Sequence, residues 1–304
     1  MTNASATPQH IVLRTDDGTE LTALRYPAIG TPRGHLVMAG ATGVPQLFYR
    51  NFALYAASQG YTTLTLDYRG IGLSKPKSLR GYRMRYLDWA RQDLSAAVDA
   101  MASETLPLFM VGHSFGGHAF GLLPNHRSVA RFYTFATGAG WAGWMPRWER
   151  LKVQVMWRLA GPLMVYWNGF LAWSQLGMGE DLPLGVYKDW KHWCSYPHYF
   201  FDDPAMGLQV QDLFDGVTTP IMAANATDDA WAPPVSRDAF MAGYRYADVQ
   251  AVDIVPAARG LASIGHMGYF RRPAQPLWED ALRWFGEHRP SDKSAPTAHQ
   301  PVPA

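Results

Sequence analysis

A single cysteine, Cys194, stands in 304 residues. One thiol cannot close an internal disulfide or build a cysteine metal cluster, and it fits a reducing compartment. Charge of one sign is also missing. Lys and Arg number 27 against 25 Asp and Glu, a formal net charge of +2 mixed along the chain. That balance carries no footprint for nucleic acid or another polyanion. Long apolar runs are absent too: no window of about 18 apolar residues is free of charges and breakers, so no transmembrane helix is expected. The first ten residues have no positive start followed by an apolar run, so no signal peptide is read there. Together these absences lead to the expectation of a soluble, cytoplasmic protein.

What the chain does have is apolar and aromatic. Hydrophobic residues make up 48% of it, ample for a packed core. The length allows one large α/β domain or two small ones. Of 12 tryptophans, eight fall between residues 139 and 200, which marks that segment as different in kind from the rest.

Strand-like runs alternate with helical patterns. Residues 11–14 and 21–26 read as strands around the turn signal Asp16-Asp17-Gly18. Further strands are expected at 35–40, 61–67, 106–113, 130–136, 217–225 and 249–255. Helical spacing predicts helices over 46–58, 84–102, 235–244 and 276–288, and a short one over 117–123. This order implies crossover units and a mostly parallel sheet of the eight-stranded type, flanked by helices. Such sheets take ligands at the carboxyl ends of their strands. The Pro-, Ser- and Ala-rich residues 289–304 read as a disordered tail.

The strand at 106–113 runs into Gly112-His113-Ser114-Phe115-Gly116-Gly117. Strand, sharp turn and helix are the context in which G-x-S-x-G holds a serine hydroxyl above a sheet. The crowded turn needs tiny residues two before and two after the serine, and Gly112, Gly116 and Gly117 supply them. The Phe115 amide then faces the same way and can receive an oxyanion. A serine nucleophile needs a base. Of ten histidines, His266 lies in a glycine-flanked loop after the last strand, whereas His113 and His118 flank the serine on its own turn and helix. An imidazole base wants a carboxylate. Asp228 and Asp229 follow the strand at 217–225, and their side chains must point apart. Asp229 is favoured because Asp-x-x-x-Pro sets it at the start of a turn stopped by Pro233; Asp228 is the alternative. The second oxyanion amide is assigned to Ala41, at the end of the strand neighbouring the nucleophile strand.

The marks A-G-A-T-G (39–43), D-Y-R-G-I-G-L-S (67–74), G-H-S-F-G-G (112–117), T-D-D-A-W-A-P (227–233) and G-H-M-G (265–268) resemble the α/β-hydrolases of the serine-aminopeptidase and monoacylglycerol-lipase-like branch. The resemblance implies Ser114, Asp229 and His266 as a triad, with the amides of Ala41 and Phe115 as the hole, and no cofactor. One departure is visible: the usual His-Gly of the oxyanion loop is Ala39-Gly40 here. The hydrolase core is expected over 1–138 and 216–288, with residues 139–215 as a cap over the active site. Its tryptophans read as packing residues and as walls of an apolar acyl pocket, and residues 177–183 as a hinge or loop. The histidines lack the paired spacing of common zinc motifs, so no metal is expected. The reading that follows is a hydrolase of a carboxylic ester or thioester of a small to medium apolar acyl group. A peptidase or an acyltransferase using the same triad, and a non-catalytic ligand-binding protein, are the alternatives.

Overall fold

The structure is a computed structural model describing residues 7–177 and 179–288. The tail expected at 289–304, residues 1–6 of the region read for a leader, and Met178 of the expected hinge lie outside the described residues.

The chain begins with an antiparallel pair, β1 (Gln9–Arg14) and β2 (Glu20–Tyr26). The alternating elements follow: β3 (Gly34–Ala39), α1 (Arg50–Ser58), β4 (Tyr61–Leu66), α2 (Ser95–Met101), β5 (Leu108–His113), α3 (Phe115–Ala119) and β6 (Val129–Phe135). A helical insertion carries α4 (Arg147–Val155), α5 (Gly161–Asn168), α6 (Leu184–Trp193) and α7 (Gly207–Asp215). The chain then returns through β7 (Ile221–Ala226), α8 (Pro234–Met241), β8 (Val249–Ile254) and α9 (Gln275–Gly286). The eight strands form one sheet in the order β1-β2-β4-β3-β5-β6-β7-β8, parallel from β4 to β8.

Pleating divides the core into two layers. In β5, Leu108 and Met110 join the cluster on one face while Phe109 and Val111 join the other. Trp89, Leu94 and Val98 cover the first face; Phe52 of α1 and Trp278 of α9 cover the second. Every residue of β4 and β5 is buried, as a strand covered by helices on both faces must be.

Two elements differ from the sequence reading. The helix expected from residue 84 winds as a π-helix over Trp89–Leu94 and is α-helical only over Ser95–Met101. Residues 84–88 are claimed by the insertion instead. Asp189 accepts from the Tyr86 amide at 3.0 Å and pairs with the Arg85 guanidinium, with 2.9 Å to Nη2. The strand expected from 217 begins at Ile221, because Pro220 has no N–H for a ladder. The flank of the expected hinge is tied down: the Glu180 amide donates to Gly43 O at 3.0 Å, and its carboxylate pairs with Lys75 at 2.9 Å.

Candidate active site

Ser114 joins the end of β5 to α3 with φ 53°, a left-handed conformation that a side chain rarely adopts. The neighbours of this turn leave no room for side chains. A Cβ on Gly116 would sit 2.1 Å from Ala39 O, and one on Gly117 would sit 1.8 Å from Thr137 Oγ1. At Gly112 a Cβ would come within 2.7 Å of Gly117 N. Strain is held in place by bonds on both sides: the Ser114 amide donates to Phe135 O at 2.9 Å, and its carbonyl accepts from the Gly117 amide at 2.9 Å.

The loop after β8 brings His266 to this serine. Nε2 of His266 lies 3.1 Å from Ser114 Oγ, and Nδ1 lies 3.0 Å from Asp229 Oδ2. These residues are 152 and 37 positions apart along the chain. Asp229 is 1% exposed and also accepts from the amides of Trp231 (3.0 Å) and Ala232 (2.9 Å) and from Tyr269 OH (3.3 Å). Burial pushes its carboxyl up, but the His266 charge and these donors outweigh burial, and it titrates below the usual carboxylate range. The neighbouring Asp228 turns the other way. Its two oxygens accept from the amides of Ile264 (2.8 Å) and Gly265 (3.1 Å). Both carboxylates therefore act on one loop: Asp229 on the imidazole, Asp228 on the backbone just ahead of it.

The amides assigned to an oxyanion fare differently. Phe115 N–H is the first amide of α3 and has no hydrogen-bond acceptor among the described residues. Ala41 N–H is already committed: it donates to Tyr49 OH at 2.7 Å. A role for this amide at an oxyanion requires it to leave Tyr49. The Ala39-Gly40 departure bears on the same loop, where a Cβ on Gly40 would lie 3.0 Å from the Tyr49 ring.

The reason lies in a residue that motif reasoning passed over. Tyr49 Oη is 3.0 Å from His113 Nδ1, and His113 Nε2 is 2.9 Å from His266 O. Burial drives the His113 pKa down to about 3, so the ring is neutral with one proton to place. One arrangement satisfies every contact. Ala41 N–H donates to Tyr49, Tyr49 O–H donates to Nδ1, and Nε2–H donates to the His266 carbonyl. A buried chain of hydrogen bonds thus joins the loop beside the serine to the loop carrying the imidazole. The signal was legible in strand alternation: residue 113 falls on the face of 109 and 111, the layer to which Tyr49 belongs.

Aromatic side chains of the core and of the insertion meet beside this edge. Tyr86 stacks on Phe115 with centroids 4.3 Å apart and shares a short hydrogen bond with Thr42. Trp231 lies 6.2 Å from His266, Trp190 packs 5.8 Å from Trp231, and Trp157 packs 5.1 Å from Trp190. An aromatic column runs from the imidazole into the insertion. Among the described residues no three His, Cys, Asp or Glu side chains gather as a metal site.

An eight-stranded sheet of this order, with a serine on a strained strand-to-helix turn, defines an α/β-hydrolase. The family described as "Serine aminopeptidase, S33" matches residues 30–181, and the chain belongs to it. It is a hydrolase of the α/β-hydrolase type. No curated protein matches it in sequence. Solved structures share the fold. A soluble variant of monoglyceride lipase from Saccharomyces cerevisiae, bound to a substrate analog, has a TM-score of 0.64 at 16% identity, over 94% of this chain and 96% of that one. The alpha/beta hydrolase GrgF from Penicillium sp. sh18 has a TM-score of 0.60 at 15% identity, over 93% and 99%. A thermophilic esterase from Thermogutta terrifontis has a TM-score of 0.56 at 14% identity, over 91% and 97%.

Proposed function

We propose that this chain hydrolyses a carboxylic ester or thioester of a small to medium apolar acyl group through an acyl-enzyme. The observation that carries the reading is the unbroken contact from Ser114 Oγ through the His266 ring to a buried Asp229. Ser114 attacks the carbonyl carbon while His266 Nε2 takes its proton. The Phe115 amide receives the oxyanion, and the Ala41 amide joins it by exchanging Tyr49 Oη for the developing charge. His266 returns the proton to the departing alcohol or thiol, then draws one from the water that clears the acyl group. Asp229, held ionised, fixes the tautomer and balances the imidazolium.

The acyl preference rests on the aromatic column above His266. Residues 139–215 act as a cap whose inner face supplies apolar walls and keeps water from the reacting carbonyl. A single buried, unpaired cysteine suits work in a reducing cytoplasm.

A panel of p-nitrophenyl esters of increasing acyl length, with a fluorophosphonate probe, tests this. Turnover is expected, with covalent labelling at Ser114. Ser114→Ala should lower kcat by about 10⁵–10⁶ and abolish labelling. Folded protein that neither turns over any ester nor takes the label would falsify the reading.

A further inference from the structure

We propose that the outer face of the insertion's first helices docks the chain on an anionic lipid surface. From Arg147 to Asn168 the chain winds without a break: α4, a π-helical stretch over Met156–Ala160, then α5. Such a run is about 33 Å long. Trp148, Leu151, Val155, Leu159 and Leu163 recur at three- and four-residue intervals, and all are exposed. Tyr166 and Trp167 extend the stripe. Trp148 is 78% exposed, Tyr166 79% and Trp167 71%, values no packing role explains. The opposite face is buried, with Val153 and Trp157 in the core. The helix therefore has two apolar faces, and among the described residues only one has a partner.

The charges name the partner. Arg147, Arg150, Lys152 and Arg158 are all exposed on this run, while Glu149 is its one acidic residue and is paired with Lys152. An apolar ridge set among cations, with indole and phenol rings that suit a boundary between oil and water, is the pattern of a helix lying in a membrane interface. Beside it, between α5 and α6, Val165, Tyr166 and Tyr187 line a hollow of about 620 Å³ bordered by Lys188 and Lys191. An apolar floor beside two ammonium groups fits a lipid's acyl chain and anionic headgroup. A second copy of this chain fits less well. A two-fold contact through the same face would set these cations against themselves. No described helix is long and apolar enough to cross a membrane, so the contact lies on the surface of the bilayer.

The experiment uses the full chain carrying Ser114→Ala, so that binding is read without hydrolysis and stands apart from the proposed chemistry. Co-sedimentation is measured with vesicles of phosphatidylcholine mixed with phosphatidylglycerol, and with phosphatidylcholine alone. The chain should bind the mixed vesicles, and more weakly the neutral ones. A triple variant, Trp148→Ser with Leu159→Ser and Trp167→Ser, should lose at least about tenfold in affinity for both. Arg158→Gln with Lys188→Gln should weaken binding to the mixed vesicles by about fivefold per charge removed, and leave the neutral ones unchanged. Both variants should keep the parent's melting temperature, since the altered residues are surface ones. Failure of the parent to bind mixed vesicles overturns the proposal, as does equal binding by parent and both variants. A parent that sediments as a dimer without vesicles, made monomeric by the triple variant, overturns it in favour of self-association.

Discussion

The edge of the sheet at Ser114 and the inner side of the helical insertion are both buried, yet they are held by different forces. At the sheet edge, positions are set by directional bonds between distant residues. Ser114, His266 and Asp229 are connected in series, and Asp228, Tyr49 and His113 hold the loops that carry them. In the insertion, bonds such as that of Asp189 to the Tyr86 amide tie the edges, and shape sets the interior. Trp157, Trp173 and Trp190 meet edge-on at 5.1 Å, and the Nε1 atoms of Trp157 and Trp173 are buried without an acceptor among the described residues. Directional bonds give a fixed geometry that tolerates little change. Aromatic packing gives a cover whose inner wall can be reshaped while the volume is kept. The difference suits the proposed function, in which reacting groups need fixed distances and a binding wall needs only bulk and dryness.

The sharpest break of this contrast uses the adjacent carboxylates. Asp229→Asn should lower kcat by about 10³–10⁴, since the amide can donate to the imidazole and fix the wrong tautomer. Asp228→Asn keeps one acceptor oxygen, enough for one of the Ile264 and Gly265 amides, and leaves the imidazole's own carboxylate untouched, so it should cost no more than about tenfold. Steady-state kinetics on one short ester would compare the two. Equal losses would mean that loop position, not charge on the imidazole, limits the rate.

The second break is within the insertion. Trp193 is 2% exposed and donates to Asp203 at 3.0 Å. Trp193→Ala should destabilise the chain by about 3–5 kcal/mol, through a cavity and the lost hydrogen bond to Asp203. Trp148→Ala, on the outer face, should change stability by no more than about 0.5 kcal/mol. Chemical denaturation of the two variants side by side would measure this. A matching loss at Trp148 would mean that the outer face has an internal partner.

How much of this was readable beforehand follows the same division. The convergence of Ser114, His266 and Asp229 was legible because a serine nucleophile requires a base and an orienting acid, and the loops after successive parallel strands meet at one edge. The contact of the Ala41 amide with Tyr49 was not legible because Tyr49 sits eight residues on, and nothing in the local pattern turns that hydroxyl back toward the strand end. The helix expected from residue 84 was lost to Asp189, a long-range partner that periodicity cannot register. Within the insertion, tryptophan density was visible, but its division into a buried and an exposed face depends on which side of each helix meets the core.

His118 stands on the seam between the two regions and gives the finest test. It is buried at the end of α3, its Nε2 lies 2.7 Å from Gly138 O, and its ring stacks 4.5 Å from Tyr199 of the insertion. Burial lowers its pKa from 6.5 to about 4. The native chain therefore refuses a proton that the unfolded chain accepts. The stability tied to this residue is whole above pH 6.5 and is lost as the pH falls from there toward 4. The slope from one such group is at most about 1.4 kcal/mol per pH unit. His118→Gln removes the titration while keeping a donor for the Gly138 carbonyl. Its stability, measured by denaturant titration at several values across that window, should fall less steeply than the parent's by up to that slope. Parallel curves would mean that the ring takes up its proton while native. The seam would then be wet, and the insertion would rest on the sheet edge through water rather than by direct packing.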